Sequence, residues 1–322
     1  MADTKSLDTK SHSGKGSSGK GSSGEGSSGE GSSDEGLDPA KAAAGPRRLA
    51  ELLRVGEGFR LDGVDPASTP GFEGKKADGA AALAAGAAEL GALQERLWAQ
   101  ARGGDGRSLL LVVQGMDTSG KGGIMRHVVG AVDPQGVRHT AFKAPTPAER
   151  EHDFLWRIRP ALPRPGELGV FDRSHYEDVL VVRVHDLVPK ATWQRRYAAI
   201  NRFEAGVADR GTAIVKVMLH LSKGEQKERL TERLDRPEKY WKYNPQDVDE
   251  RGYWDAYQEA YQVALTRCST KAAPWHVVPA DKKWYARWAV QQLLLDVLAE
   301  LDPQWPAATF DVKAEQARLA AT

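Results

Sequence analysis

Residues 107–126 read RSLLLVVQGMDTSGKGGIMR, and their types and order suit one chemistry, the holding of phosphate. An apolar, β-branched run, Leu109 to Val113, ends in a glycine-rich turn from Gly115 to Gly123 that carries a single lysine, Lys121. A helical pattern follows at once. Strand, glycine loop, lysine and helix are the parts of a P-loop. Glycine lets backbone N–H groups turn toward an anion without a Cβ in the way, and the new helix points its positive end at the same place. Gly115, Thr118, Ser119, Gly120, Gly122 and Gly123 are therefore the expected phosphate-binding loop. Lys121 adds a charge on a flexible stem that can follow a moving phosphoryl group. The spacing Gly115-x-x-x-x-Gly120-Lys121 fits Walker A, but Gly122 stands where Ser or Thr normally helps hold Mg²⁺. Asp117, inside the loop, is the candidate replacement, because a carboxylate beside phosphates repels them unless a cation lies between. The competing reading is an ordinary glycine-rich βα turn.

A second group is FDRSHYED at 171–178. The short apolar run Leu168 to Phe171 ends in Asp172, the Walker B arrangement of a carboxylate at a strand's carboxyl end. Asp117 and Asp172 could share Mg²⁺ bridging phosphate oxygens, and Arg173 could clamp a phosphate with two N–H groups. Alone, Asp172-Arg173 would read as a strand-end ion pair.

The third group, residues 229–243, holds Arg229, Arg233, Arg236, Lys239 and Lys242 among Tyr240, Trp241 and Tyr243. It follows a helix and contains Pro237. One reading is a lid whose cations neutralise charge spreading over a transferring phosphoryl group. The other is a solvated basic helix end. Lys143 and Arg183 are further candidate phosphate contacts. His152-Asp153 and His185-Asp186 lack a third metal ligand at suitable spacing and read as structural. His175 reads as packed or locally bonded, and the Trp284–Trp288 run reads as packing.

Six ordered pieces resemble the polyphosphate kinase 2 family: GMDTSGKGG at 115–123, DPQG at 133–136, FKAP at 142–145, FDRSHYEDVL at 171–180, ERLDRPEKYWKYN at 232–244 and APWHVVPADKKWYARW at 273–288. The resemblance spans roughly residues 50–306. It implies phosphoryl transfer between inorganic polyphosphate and a nucleotide with Mg²⁺, metals held by the two aspartates, Arg233 and Lys242 acting in the lid, and a homo-oligomer. Glu177, expected in the first turns of a helix that leaves the Walker B strand, falls where ADP-using members commonly have Asn, which resembles the subclass that accepts nucleoside monophosphates as well as diphosphates. Arg236 departs from the commoner residue before the proline, which leaves its role open. An ATP-dependent small-molecule or nucleotide kinase of similar fold, and a polyphosphate-binding regulator without activity, are the alternatives. Intact Asp117, Lys121 and Asp172 argue against the regulator.

These residues need a frame to hold them, and strand and helix signals alternate. Helices are expected over 80–102, 147–159, 192–209, 252–267 and 282–301, and strands over 138–143, 168–172, 213–221 and 275–278. Ser222 is expected to cap a helix, with Glu225 completing a capping box. Such alternation gives an α/β fold, a P-loop kinase-like parallel sheet sandwiched by helices, with a basic helical lid over residues 229–252. The expected organisation is a Gly/Ser-rich disordered tail over 1–36, a helical extension over 37–106, the phosphotransferase core over 107–306 and a C-terminal tail over 307–322. With 322 residues, 40% of them hydrophobic, the chain can bury a large core. A net charge of +1 gives no argument for nucleic acid. No apolar run approaches the roughly 18 residues of a membrane span. The single cysteine, Cys268, excludes an internal disulfide and fits a reducing cytoplasm.

Overall fold

A computed structural model describes residues 46–322. The expected tail over 1–36 lies outside the described residues, as does the start of the extension. Five parallel strands form one sheet in the order β2-β3-β1-β4-β5: β1 (Ser108–Gln114), β2 (Val137–Ala141), β3 (Leu168–Asp172), β4 (Thr212–His220) and β5 (Trp275–Pro279). All seven residues of the central strand β1 are buried, as expected of a parallel strand covered on both faces. Its side chains alternate between two cores. Leu109, Leu111 and Val113 join Leu90, Leu97, Trp288 and Leu294 on one face. Leu110 and Val112 join Phe171, Tyr197, Ile200 and Tyr261 on the other. The helices Lys76–Ala101 and Lys283–Leu301 cover the first face, and Lys190–Ala208 and Trp254–Cys268 the second. The extension is part of this frame, since Leu49, Leu53 and Phe72 sit in the first core.

Register fixes the functional ends. Val113 pairs with Asp172 across β1 and β3, and Gln114 with Met218 across β1 and β4. The turn after β1 and the end of β3 thus open at the same edge, the carboxyl edge where parallel α/β sheets bind ligands.

Four expectations need correction. The helix over 147–159 is one turn, Pro147–Arg150, followed by turns and a 3-10 segment at Arg159–Ala161. Thr146 and Glu149 form a capping box that starts it. Asp153 Oδ1 then accepts from Leu155 N (3.0 Å) and pairs with Arg159, a local bond that competes with helix continuation. The capping box at Ser222 is half made: Ser222 Oγ accepts from Glu225 N (3.1 Å), while the Glu225 carboxylate turns to Arg229 (2.7 Å). Glu177 lies in a 3-10 turn, His175–Asp178, rather than a helix, because Ser174 Oγ caps it by accepting from Tyr176 N. The C-terminal tail carries a helix, Val312–Ala320, with every residue exposed. Among the described residues no helix is long and apolar enough to cross a membrane.

Candidate active site

The loop after β1 folds back on its own lysine. Lys121 Nζ donates to Gly115 O (2.8 Å) and Met116 O (3.2 Å). Gly115, at φ 153°, is required by space: an added Cβ would lie 2.6 Å from Ser119 Oγ and 2.9 Å from Leu219 O. Gly122, by contrast, faces open space. A serine would fit there, so the missing Walker A hydroxyl is a chemical choice and not a steric one. Thr118 adopts the left-handed conformation at φ 65°, unfavourable for a β-branched residue. The Thr118 and Ser119 hydroxyls are buried without partners, which suits a loop built to receive an anion.

Arg173 also has positive φ, 63°. Its N–H donates to Val113 O (3.1 Å), which fixes it beside the loop. Its Nη2 donates to Asp117 Oδ1 (2.7 Å), and Nη1 lies 3.6 Å from Glu177 Oε2. Burial alone would lower the Arg173 pKa, but the Glu177 and Asp117 carboxylates outweigh it and the guanidinium stays charged. Lys121 is shifted down, first by burial and then by Arg173. Among the described residues no side chain bonds to the Asp172 carboxylate.

Two clefts meet at Asp172. One, of about 610 Å³, runs from the P-loop between the lid and the helix Lys283–Leu301; it is lined by Asp117, Lys121, Arg233, Lys239, Lys242 and Arg287 among others. The second, of about 670 Å³, is lined by Phe142, Lys143, Arg157, Arg173, Glu177 and Val182 among others. Asp172 lines both. The structure therefore gathers Asp117, Lys121, Asp172, Arg173, Glu177 and the loop residues at one place. Arg233, Lys239 and Lys242 lie on the basic side.

Lys143 borders the second cleft rather than the basic one. Arg183 does not belong: it pairs with Glu259 and stacks over Trp193 at 5.0 Å, outside the lining of both clefts. A hydrophobic strand-like context around Val-Val-Arg-Val concealed that its guanidinium packs on an aromatic face. Arg236 is exposed and pairs with Glu232 and Glu238. Glu232, held by Lys239 and Lys283, is pulled down to about 2, chiefly by its bond from Lys239.

Sequence reasoning missed several residues. Arg126, His127, Lys283 and Arg287 line the basic cleft. The first two follow Lys121 on the same helix, and the last two lie four apart on another, so helical spacing was the available signal. The His127 pKa is lowered by burial and then by Arg287 and Arg126, and that of Arg287 by burial and then by Arg126 and Arg229. The crowded guanidinium groups of Arg126 and Arg287 stabilise a bound polyanion. Arg229, expected in the lid, is instead buried beneath the loop. It donates to Thr118 O (2.9 Å), Ala280 O (2.6 Å), Asp281 O (2.9 Å) and Glu225. Gln226 Nε2 donates to Asp117 O (3.1 Å).

The expected structural histidines hold. His175 and Tyr176 bond Glu204, which pairs with buried Lys216 at 2.5 Å. His152 stacks on Trp156, and His185 bonds Glu250. No group of three or more metal-ligating side chains occurs among the described residues. Cys268 is buried, and burial pushes its thiol up to about 12.

A parallel sheet, a P-loop on its central strand and an aspartate on the neighbouring strand define a P-loop phosphotransferase. The polyphosphate kinase 2 family profile matches residues 73–306, and the chain belongs to that family. It is 48% identical over 248 residues to an AMP/ADP-polyphosphate phosphotransferase of Meiothermus ruber, covering 77% of this chain and 91% of that one. To an ADP-polyphosphate phosphotransferase of Rhodopseudomonas palustris it is 41% identical over 269 residues, 80% of this chain and 92% of the other. A crystal structure of polyphosphate kinase 2 from Arthrobacter aurescens superposes with a TM-score of 0.85 at 59% identity, covering 87% of this chain and 99% of that one.

Proposed function

We propose that this enzyme transfers a phosphoryl group from inorganic polyphosphate to AMP and ADP, with Mg²⁺. The observation that carries the reading is the pair of clefts meeting at Asp172, one strongly basic and one with apolar walls. Polyphosphate would lie in the basic cleft with its end at the P-loop. The nucleotide would lie in the other, its base and ribose against Phe142 and Val182 and its phosphate toward Arg173.

Asp117 and Asp172 fit Mg²⁺. Both offer hard oxygen donors, and the Asp172 carboxylate has no competing side-chain partner. Two carboxylates suffice, because Mg²⁺ usually completes its shell with water and substrate phosphate oxygens. Bound there, it would neutralise charge on the phosphates. In the reaction, an acceptor phosphate oxygen attacks the terminal phosphorus of the donor. The bond from that phosphorus to the next bridging oxygen breaks, and the shortened chain leaves with the negative charge. The attacking oxygen is already anionic, so no strong general base is needed. Lys121 and Arg173 stabilise the transferred group, and Arg233 and Lys242 close over it.

The names of the Meiothermus and Rhodopseudomonas relatives support the donor, and the former supports AMP as well as ADP. Purified protein with polyphosphate, Mg²⁺ and either AMP or ADP should yield ADP and ATP on nucleotide separation. Phosphorylation from ATP with polyphosphate inert would overturn the reading.

A further inference from the structure

A carboxylate sits where a polyphosphate cleft has least use for one. Glu232 lies near the end of the helix Lys223–Asp235 and lines the basic cleft beside Lys239 and Lys283. Among the described residues, Asp117 and Asp172 are the only other carboxylates in that lining. Those two lie at the reaction centre, but Glu232 does not. It accepts from Lys239 Nζ through Oε1, lies 3.4 Å from Lys283 Nζ through Oε2, and is 3.3 Å from Arg236 Nη1. Two ammonium groups from two different elements, the lid turn Pro237–Lys242 and the helix Lys283–Leu301, thus converge on one anionic oxygen pair. A phosphate unit offers those ammonium groups the same charge and the same acceptors.

We propose that Glu232 is an internal counter-ion that stands in for a phosphate of the donor, holding Lys239 and Lys283 in the free enzyme and releasing them to polyphosphate. The proposal rests on reading the basic cleft as the polyphosphate cleft. The side chains are placed for exchange: Glu232 is 40% exposed and Arg236 is 50% exposed. Arg236 is not part of the cleft lining, so it remains a partner for the displaced carboxylate. This gives Arg236 a role that its departure from the family pattern left open. The exchange also discriminates between anions. A single phosphate must displace a carboxylate that already satisfies both lysines. A chain presents successive phosphates to both lysines and to the neighbouring cations at once. Glu232 therefore costs the chain little and excludes monomeric phosphate.

Glu232→Gln removes the charge and keeps the shape. The KM for polyphosphate should fall about twofold, within the range of exposed ion pairs, while kcat changes by less than about twofold. Orthophosphate and pyrophosphate should inhibit the variant at about fivefold lower concentration than wild type, the upper end of that range. Glu238→Gln, which touches Arg236 and lies outside the cleft, should leave both values unchanged. Calorimetric titration of polyphosphate without nucleotide should show the same tightening. That arm separates the two ideas. Tight polyphosphate binding without transfer overturns the proposed function and leaves this inference standing, and absence of binding overturns both. An unchanged or raised KM and Kd in a normally melting Glu232→Gln protein overturns the inference, since a rise would mean that Glu232 orients the lysines for the donor. Glu232→Ala supplies the same comparison if the Gln variant does not fold.

Discussion

Arg229 offers the sharpest test of how the helix Lys223–Asp235 and the P-loop are joined. The perturbation is Arg229→Met, which keeps the stem and removes the guanidinium. In the native protein that group is 5% exposed and bonds three backbone carbonyls, of Thr118, Ala280 and Asp281, besides Glu225. Methionine leaves all three carbonyls without that donor. At about 1 kcal/mol for each, with Glu225 free to reach water, the loss is about 3 kcal/mol. For a protein of this size that corresponds to a fall in Tm of about 6 °C. Arg229→Lys retains the charge and one donor direction, so its loss should be roughly half as large. Turnover should fall further than stability suggests. Thr118 holds a left-handed conformation that costs about 1–3 kcal/mol and persists only while its surroundings enforce it. Once the bond to its carbonyl is gone, the loop can relax away from the phosphate-binding shape. Thermal denaturation and initial rates at saturating substrate measure the two effects. A Tm within about 1 °C of wild type would refute the stability reasoning. A lowered Tm with unchanged turnover would refute the link from that helix to the loop.

Asp117→Asn and Asp172→Asn should each lower turnover by at least about 100-fold, a loss of about 2.7 kcal/mol, with melting little changed; near-normal turnover removes that residue from the metal site. Glu177→Asn should depress the rate on AMP more than the rate on ADP, because Glu177 faces the second cleft beside Arg173; an unchanged ratio means that its ion pair is only structural. Asp296 has both carboxylate oxygens buried without partners, and burial followed by Glu300 raises its pKa to about 7. A raised folded-state pKa gives stability that is full below the unfolded value and lost as pH climbs through the folded one. Asp296→Asn should therefore gain in Tm over wild type between about pH 5 and about pH 8, and a constant difference across that range would exclude the titration.

The central strands and the two aspartates were legible because their signals are local. A buried parallel strand must be apolar throughout, and β1 is. A Walker A turn needs glycine at fixed spacing, and Gly115 and Gly120 supply it. Errors arose where a local choice was decided by a partner. Nothing near residue 153 in sequence announces that the Asp153 carboxylate will accept from Leu155 N and oppose continuation of the helix. Glu225 could cap or pair, and the buried guanidinium of Arg229 took it. Arg229 itself reaches Thr118, 111 residues away, so its removal from the lid was visible only in three dimensions. Arg183 shared its composition cue with Lys143, but Glu259 and Trp193 claimed it.

The overall charge concealed the site for a related reason. The chain has 45 Lys and Arg against 44 Asp and Glu, a balance that gives no overall argument for a polyanionic ligand. Yet much of the phosphate-facing charge is held as pairs: Arg173 with Asp117 and Glu177, Arg233 with Asp247, and Lys239 with Glu232. Arg126 and Arg287 make no such pair among the described residues and crowd each other instead. The unpaired cations can draw a polyanion in at long range, since their field is not cancelled nearby. The paired cations cannot, because each must first exchange its carboxylate for a phosphate. Affinity for the chain then depends on the difference between two sets of ion pairs, while the rate of capture depends on the unpaired set. Substitutions at Arg126 or Arg287 should therefore act mainly on association and its salt dependence, and substitutions at the paired carboxylates mainly on the equilibrium.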